Sequence, residues 1–532
     1  MTITNPPDFN TVAALIHQHA LQAPLRNALV EGSRCMPYGE LDATMDRVAR
    51  ALRRHGIQAG DAIAICANSS IEYAAVFLGA LRAGVVVAPL APSSTPGSLA
   101  RMVDDAQARL VFTDIACAGL LSEVPAANAG LVALDDSAVA QRLSDWLGAP
   151  QGAPDSAPDG AKDGANDGAS GESVKVLPEW PFNIIYSSGT TGEPKGIVQS
   201  HGMRWMHVRR GNAYGYDAST VMLVSTPLYS NTTLVVFFPT LAFGGTVVLM
   251  PKFDAAAYLK LAQATHATHT MLVPVQYQRL MARPDFGDHD LSSFKIKFST
   301  SAPFSAALKA DVLARWPGGL VEFYGMTEGG GSFILDAHLH PDKLHTVGRP
   351  GEGHDIRLID EQGVEVLPGE AGEVVGHSPG MMIGYHRQPE KTREAEWFDA
   401  TGKRFIRTGD IGRFDADGFL TLFDRKKDMI ISGGFNIYPS DLESVLREHP
   451  AILEAAVVGV PSEQWGESPV AFAVLRPGHN ALPENLLEWF NQRVGKTQRA
   501  SDLRLLEELP RSAIGKVLKR ELRDRYLPVL RQ

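Results

Sequence analysis

The sequence predicts an α/β protein built as more than one domain. Three observations carry this expectation. The chain has 532 residues, too many for one hydrophobic core. Short β-branched runs alternate with helical patterns as far as about residue 350. Beyond that point the texture changes to short strands punctuated by D-G and Q-G turns.

AIAICA (62–67), VVVAPL (85–90) and LVFTD (110–114) read as buried strands, and EYAAVFLGALRAG (72–84) as the crossover helix between the first two. NIIYS, VMLVST, TVVLM, TMLVP and KIKFSTS continue the series. Strand and helix at this spacing imply parallel sheets covered on both faces, which bind ligands at the carboxyl ends of their strands. Residues 149–173 are Gly, Ala, Asp, Ser and Pro with no large apolar side chain, so they read as a flexible insertion. HDIRLIDEQG, GEVVGHSPG and RFIRTGDIGRFDADGFLTLFDR suggest hairpins of a β-rich subdomain over about 350–424. MIISGGFNIYPSDLESVLREHP opens a final α+β unit, 428–532, with DRKKD (424–428) as its entry hinge.

Composition narrows the function classes. Hydrophobic residues make up 44% and charged residues 21%, ordinary for a soluble globular chain. A net charge of −10 argues against nucleic acid or an anionic membrane as partner. Cys35, Cys66 and Cys117 are odd in number and far apart, which fits a reducing compartment rather than a disulfide framework. No basic leader is visible at the N-terminus and no apolar run approaches a membrane span, so a cytoplasmic location is expected. His207, and the H-x-x-H pair His266 and His269, read as structural rather than metal-binding.

YSSGTTGEPKG (186–196) follows one predicted strand directly. Gly189, Gly192 and Gly196 permit close backbone approach; Ser187, Ser188, Thr190 and Thr191 offer hydroxyls; Lys195 offers an ammonium. Such a loop suits phosphate oxygens, although many Gly/Ser/Thr clusters are plain surface loops. The Walker pattern fails, because Lys195 stands between Pro194 and Gly196.

Four separated stretches, in order, resemble one family. They are YSSGTTGEPKG, YGMTE (324–328), RTGDIGRFDADGFLTLFDRKKDMIISGGFNIYP (407–439) and LPRSAIGKVLKREL (509–522). The family is the acyl-adenylate-forming, AMP-binding superfamily, and the likeness is nearest to its acyl-CoA synthetases. The resemblance implies a large N-terminal domain, 1–424, of two doubly wound sheets plus a small β-barrel-like subdomain. A hinge at 425–427 and a small mobile α+β domain would follow.

The activity implied is ATP-dependent conversion of a monocarboxylic acid to acyl-AMP, then transfer to coenzyme A, with Mg²⁺ and no nucleic-acid partner. By resemblance, Ser187 to Lys195 would hold the β- and γ-phosphates. Thr327 would contact phosphate and Glu328 would hold Mg²⁺. Ser301, Ala302, Pro303, Glu322, Phe323 and Tyr324 would flank the adenine, with Gly325 and Met326 beside them. Asp410 and Arg425 would meet the ribose. Lys516 would bridge the carboxylate and α-phosphate, and would leave as the C-terminal domain rotates about Lys427. Gly433 and Gly434 would then line the coenzyme A channel. Taken singly, each residue has an ordinary alternative: an exposed lysine, a helix cap, a turn aspartate, a surface ion pair.

PLYSNTT (227–233) departs from the family's frequent P-L-F-H, putting Ser230 where a histidine often gates the acyl pocket and leaving Tyr229 beside it. No acid stands there for an α-amino group, and no arginine stands out as the partner of a second carboxylate, with Arg279 left open for that role. Gly329, Gly330 and Gly331 suggest room along the pocket wall, hence a medium-length or ring-bearing acid. Transfer to a carrier-protein thiol or another acceptor is a second reading, and a non-catalytic acyl or nucleotide binder a third.

Overall fold

The computed structural model describes residues 9–125, 129–148, 174–187, 195–425, 428–432, 435–462, 465–512 and 515–526. The insertion 149–173, the loop residues 188–194, Lys427, Gly433 and Gly434 lie outside them.

The architecture is α/β, with a large N-terminal part of several sheets and a smaller C-terminal part. The first run of β-branched residues forms an eight-stranded sheet. At its centre Ala62–Cys66 pairs in parallel with Val86–Pro89 and Leu110–Thr113. These strands are buried on both faces, which is why they read as unbroken apolar runs. The expected crossover is the helix Ile71–Arg82, started by Ser70, whose hydroxyl accepts from the Tyr73 N–H at 3.1 Å.

The second series forms a nine-stranded sheet. Val221–Val224, Thr246–Leu249, His269–Leu272, Ile296–Ser299 and Gly319–Gly325 lie parallel in it, and Ser332–Asp336 closes back antiparallel on the last. The carboxyl ends of these strands therefore open onto one side.

Pro181–Ser187 belongs to the eight-stranded sheet, but its loop does not lead to a helix. The chain returns as Lys195–Ser200, antiparallel, with Ser187 opposite Lys195. The glycine- and hydroxyl-rich loop is thus carried on a hairpin. Gly196 fits because a Cβ there would lie 2.8 Å from Ile184 and 3.0 Å from the Tyr186 ring.

The β-rich unit is antiparallel: Asp355–Ile359, Gly372–His377, Glu396–Phe398, Arg404–Phe414 and Leu420–Arg425. Its Q-G and D-G turns form as expected, with Gly363 and Gly418 at φ +80° and +79°. Arg404–Phe414 is its central strand, pairing with Gly372–His377 and, at successive stretches of its length, with Glu396–Phe398 and Leu420–Arg425. Gly384–Tyr385 leaves this unit and adds to the edge of the eight-stranded sheet, beside Lys195–Ser200.

Gly329, Gly330 and Gly331 do not open a pocket wall. A Cβ on Gly329 would fall 2.0 Å from the Gly380 carbonyl oxygen; on Gly330, 2.5 Å from Ile406; on Gly331, 2.4 Å from Ile356. The missing side chains let the β-rich unit dock, so the space expected there is filled by protein. The C-terminal part pairs Ile452–Ser462 with Gly466–Leu475 and packs Pro439–Arg447, Pro483–Asn491 and Lys519–Tyr526 around them.

Gly329 also sits at φ +72°. Gly329→Ala is expected to cost about 2 kcal/mol or more of stability, from left-handed backbone strain and overpacking, read as a lowered denaturant midpoint.

Candidate active site

The segment 324–328 is the centre on which the expected residues converge. Gly319–Gly325 ends there, at the carboxyl edge of the nine-stranded sheet, so side chains alternate between two faces. Tyr324 turns toward the β-rich unit and its hydroxyl donates to Asp410 Oδ2 at 2.6 Å. Burial raises the Tyr324 pKa well above its ordinary value, and Asp410 raises it further, so the phenol stays a donor. Asp410 lies opposite Arg425 in the register of Arg404–Phe414 and Leu420–Arg425, with Arg425 Nε 3.2 Å from Asp410 Oδ1.

On the other flank, Tyr385 joins two distant motifs. Its hydroxyl donates to Glu328 Oε1 at 2.9 Å, and the Lys195 ammonium sits 5.1 Å from its ring centroid. Lys195 makes no ion pair or hydrogen bond among the described residues. The Met382 N–H donates to the Glu328 carbonyl at 2.8 Å, and Gln199 Nε2 donates to the Thr327 carbonyl at 2.7 Å. The Thr327 hydroxyl has no hydrogen bond among the described residues. Lys195, Thr327, Glu328, Asp410 and Arg425 are therefore gathered around one short segment.

Ser301 lies at the end of the neighbouring strand with φ +81°, a strained setting for a residue with a Cβ, and its hydroxyl is 2.6 Å from that of Thr232. Ala302 and Pro303 follow it, with solvent-accessible surface.

Three expected positions are used differently. Glu322 is buried and its carboxylate pairs with Lys309 beneath the sheet; burial raises its pKa and Lys309 opposes the rise. Phe323 points to the face opposite Tyr324 and stacks on Phe298 at 5.5 Å. Neither side chain flanks the Asp410 side of the cleft. Ser230 is buried and caps the helix Asn231–Ala242, accepting from the Thr232 N–H at 3.2 Å, so it is committed to helix initiation rather than to a gate.

Tyr229 is half-buried and lines a cavity of about 390 Å³ with Ser225, Gln276, Arg279 and Gly515. Gly515, at φ +77°, rests on Val273 and Val275 of the large domain. The Arg511 guanidinium donates to the Gly515 carbonyl at 2.7 Å and to Glu454 at 2.9 Å. These bonds fix Gly515, and Lys516 is the next residue.

Tyr385 and Gln199 escaped the sequence reading. Tyr385 lies on a two-residue strand with no period to detect, and Gln199 looks like one polar residue in an ordinary strand.

The family model of the AMP-binding enzymes matches residues 16–386, and that of the AMP-binding enzyme C-terminal domain matches 441–516. The chain belongs to the AMP-binding enzyme family. A feruloyl-CoA synthase from an Amycolatopsis species is 32% identical, over 96% of this chain and 98% of its own. A fatty acid–[acyl-carrier-protein] ligase, ScoC, from Streptomyces coeruleorubidus is 29% identical over 98% and 97%. The crystal structure of ATP-bound MatB from Rhodopseudomonas palustris superposes with a TM-score of 0.85 at 28% identity, covering 97% and 99%. That structure shares the two-part α/β architecture described above.

Magnesium suits the residues present. Among the described residues no three His, Cys, Asp or Glu side chains gather as a metal cage. Glu328 offers one carboxylate, and Mg²⁺ is ordinarily held by one or two carboxylates with phosphate oxygens and water.

Tyr385→Phe removes the charge-assisted hydrogen bond to Glu328 without removing bulk. Acid-dependent pyrophosphate release is expected to fall roughly tenfold or more, with the melting temperature nearly unchanged.

Proposed function

We propose that this protein activates a carboxylic acid with ATP and passes the acyl group to coenzyme A. The observation that carries this reading is the convergence around residues 324–328 of two carboxylates with an ammonium and a hydroxyl that are unpaired among the described residues. ATP and an acid are both anionic, so their reaction needs fixed positive charge and hydrogen-bond donors.

Lys195, with the hydroxyls of its loop, draws in the terminal phosphates. Thr327 donates to a phosphate oxygen. Glu328, held by Tyr385, keeps its second carboxylate oxygen for Mg²⁺, which when bound neutralises phosphate charge. Asp410 accepts from the ribose hydroxyls, and Arg425 presents its planar fork beside them. Ser301 to Pro303 shape the adenine side with the 324–326 backbone. Lys516 enters on the Gly515 turn to steady the carboxylate as it attacks the α-phosphorus. That step forms the acyl–oxygen–phosphorus bond and breaks the bond to pyrophosphate. In the second step a thiol sulfur attacks the acyl carbon, its proton is lost, and AMP leaves.

The boundary near 425–427 is the proposed pivot between the two steps, with Gly433 and Gly434 lining the acceptor channel. Coenzyme A is the favoured acceptor; the match to ScoC, named as an acyl-carrier-protein ligase, supports a carrier thiol as the second reading.

The deciding experiment incubates the protein with a carboxylic-acid panel, ATP and Mg²⁺, with and without coenzyme A, following pyrophosphate, AMP and thioester. Thioester formed on coenzyme A is the expected result; pyrophosphate without any use of coenzyme A favours the carrier thiol. Pyrophosphate from no acid contradicts the proposal.

Lys516→Ala is expected to lower adenylate formation by roughly two orders of magnitude while largely sparing thioester formation from supplied acyl-AMP. Equal loss in both half-reactions would count against the two-step use of the C-terminal domain.

A further inference from the structure

The face opposite Asp410 holds a set of hydrogen-bond donors that the adenylation reading does not use. The helix His201–Arg210 runs along the 324–332 segment. Met203 reaches Gly329, where an added Cβ would stand 2.8 Å from its terminal methyl. Three basic residues follow at spacings of three: Arg204, His207 and Arg210.

Their donors are incompletely met. Arg204 donates to Asn183 Oδ1 at 3.2 and 3.1 Å and to Gln199, but its buried Nη1 has no partner. His207 Nδ1 is buried without a partner. Arg210, half-buried, makes no hydrogen bond or ion pair among the described residues; its guanidinium lies 5.1 Å from the Phe323 ring centroid. The charged groups acting on His207 are Arg204, Arg210 and His354, all basic. Burial raises the pKa of the Tyr214 phenol; the carboxylate nearby, Asp336, raises it further, with Arg210 opposing the rise. Buried donors without acceptors are rare and costly, and a guanidinium has five to satisfy.

Beside them stands an aromatic floor. Phe323 stacks on Phe298 with planes 19° apart, and Tyr214 meets both edge-on at 5.9 and 5.3 Å. Phe323 precedes Tyr324 on its strand, Phe298 lies on the neighbouring strand, and Tyr214 packs against both. An acid whose carboxylate reaches Thr327 would lie on the Phe323 side, because the Tyr324 side belongs to Asp410.

We propose that the acid activated by this protein is ring-bearing and carries a distal acceptor oxygen, received by Arg210 and His207 while its ring lies against Phe323 and Tyr214. This rests on the acid-activating reading above and names the substrate class for that site. Arg210 and His207 are then specificity-determining residues. The oxygen is a phenol, keto or second carboxylate oxygen, sharing one acceptor chemistry.

The test measures kcat/KM for pyrophosphate release with 3-phenylpropanoic acid, its para-hydroxy and para-carboxy derivatives, and octanoic acid as aliphatic control. In the wild type at least one oxygenated acid is expected to exceed the parent by about tenfold, and its arm identifies the oxygen. Arg210→Met and, separately, His207→Leu are expected to shrink that ratio toward one, mainly through KM. The proposal is overturned if the oxygenated acids are no better than the parent, if octanoate is preferred, or if both variants slow all acids alike. Pyrophosphate from no acid overturns the functional reading along with it.

Discussion

The site depends on keeping an ammonium and a carboxylate close without letting them neutralise each other. Lys195 and Glu328 come from segments far apart in sequence, and Tyr385 stands between them. Its ring face takes the ammonium at 5.1 Å and its hydroxyl holds one carboxylate oxygen at 2.9 Å. A direct ion pair would satisfy both groups and remove them from use. The tyrosine instead leaves the cation able to take phosphate and one carboxylate oxygen able to take metal. Asp410 is held differently: it pairs directly with Arg425 and accepts from Tyr324, and the two orient the carboxylate.

Such an arrangement is stable only if the segment bearing Thr327 and Glu328 cannot relax. Three glycines let the β-rich unit lie against residues 329–331 at distances no Cβ would allow. Behind the segment, Gln199 fixes the Thr327 carbonyl and is itself held by Arg204, which is flanked by the rings of Phe182 and Phe238. A buried cation answered by two side-chain amides rather than by an acid keeps the local field positive, which favours anionic reactants.

Much of this was legible in the sequence, because parallel strands buried on both faces leave long apolar runs, and phosphate- and ribose-binding segments leave unusual polar ones. Ala62–Cys66 and Ile71–Arg82 lie within a residue or two of where the pattern put them. What could not be read is which face each side chain takes and what the glycines make room for. Glu322 and Phe323 share a motif with Tyr324, yet one is paired with Lys309 beneath the sheet and the other is stacked on Phe298. Ser230 resembled a substituted gate residue and is a helix cap. Tyr385 carries no local signal, because its partners are supplied by a strand and a turn far away in the chain.

The most direct measurement is a crystal structure of the full chain with Mg²⁺ and a non-hydrolysable ATP analogue. The account expects the ribose hydroxyls at Asp410, the terminal phosphates within reach of Lys195, and the metal bridging Glu328 to phosphate oxygens. A nucleotide bound away from residues 324–328, with Lys195 and Glu328 touching neither phosphate nor metal, would contradict it.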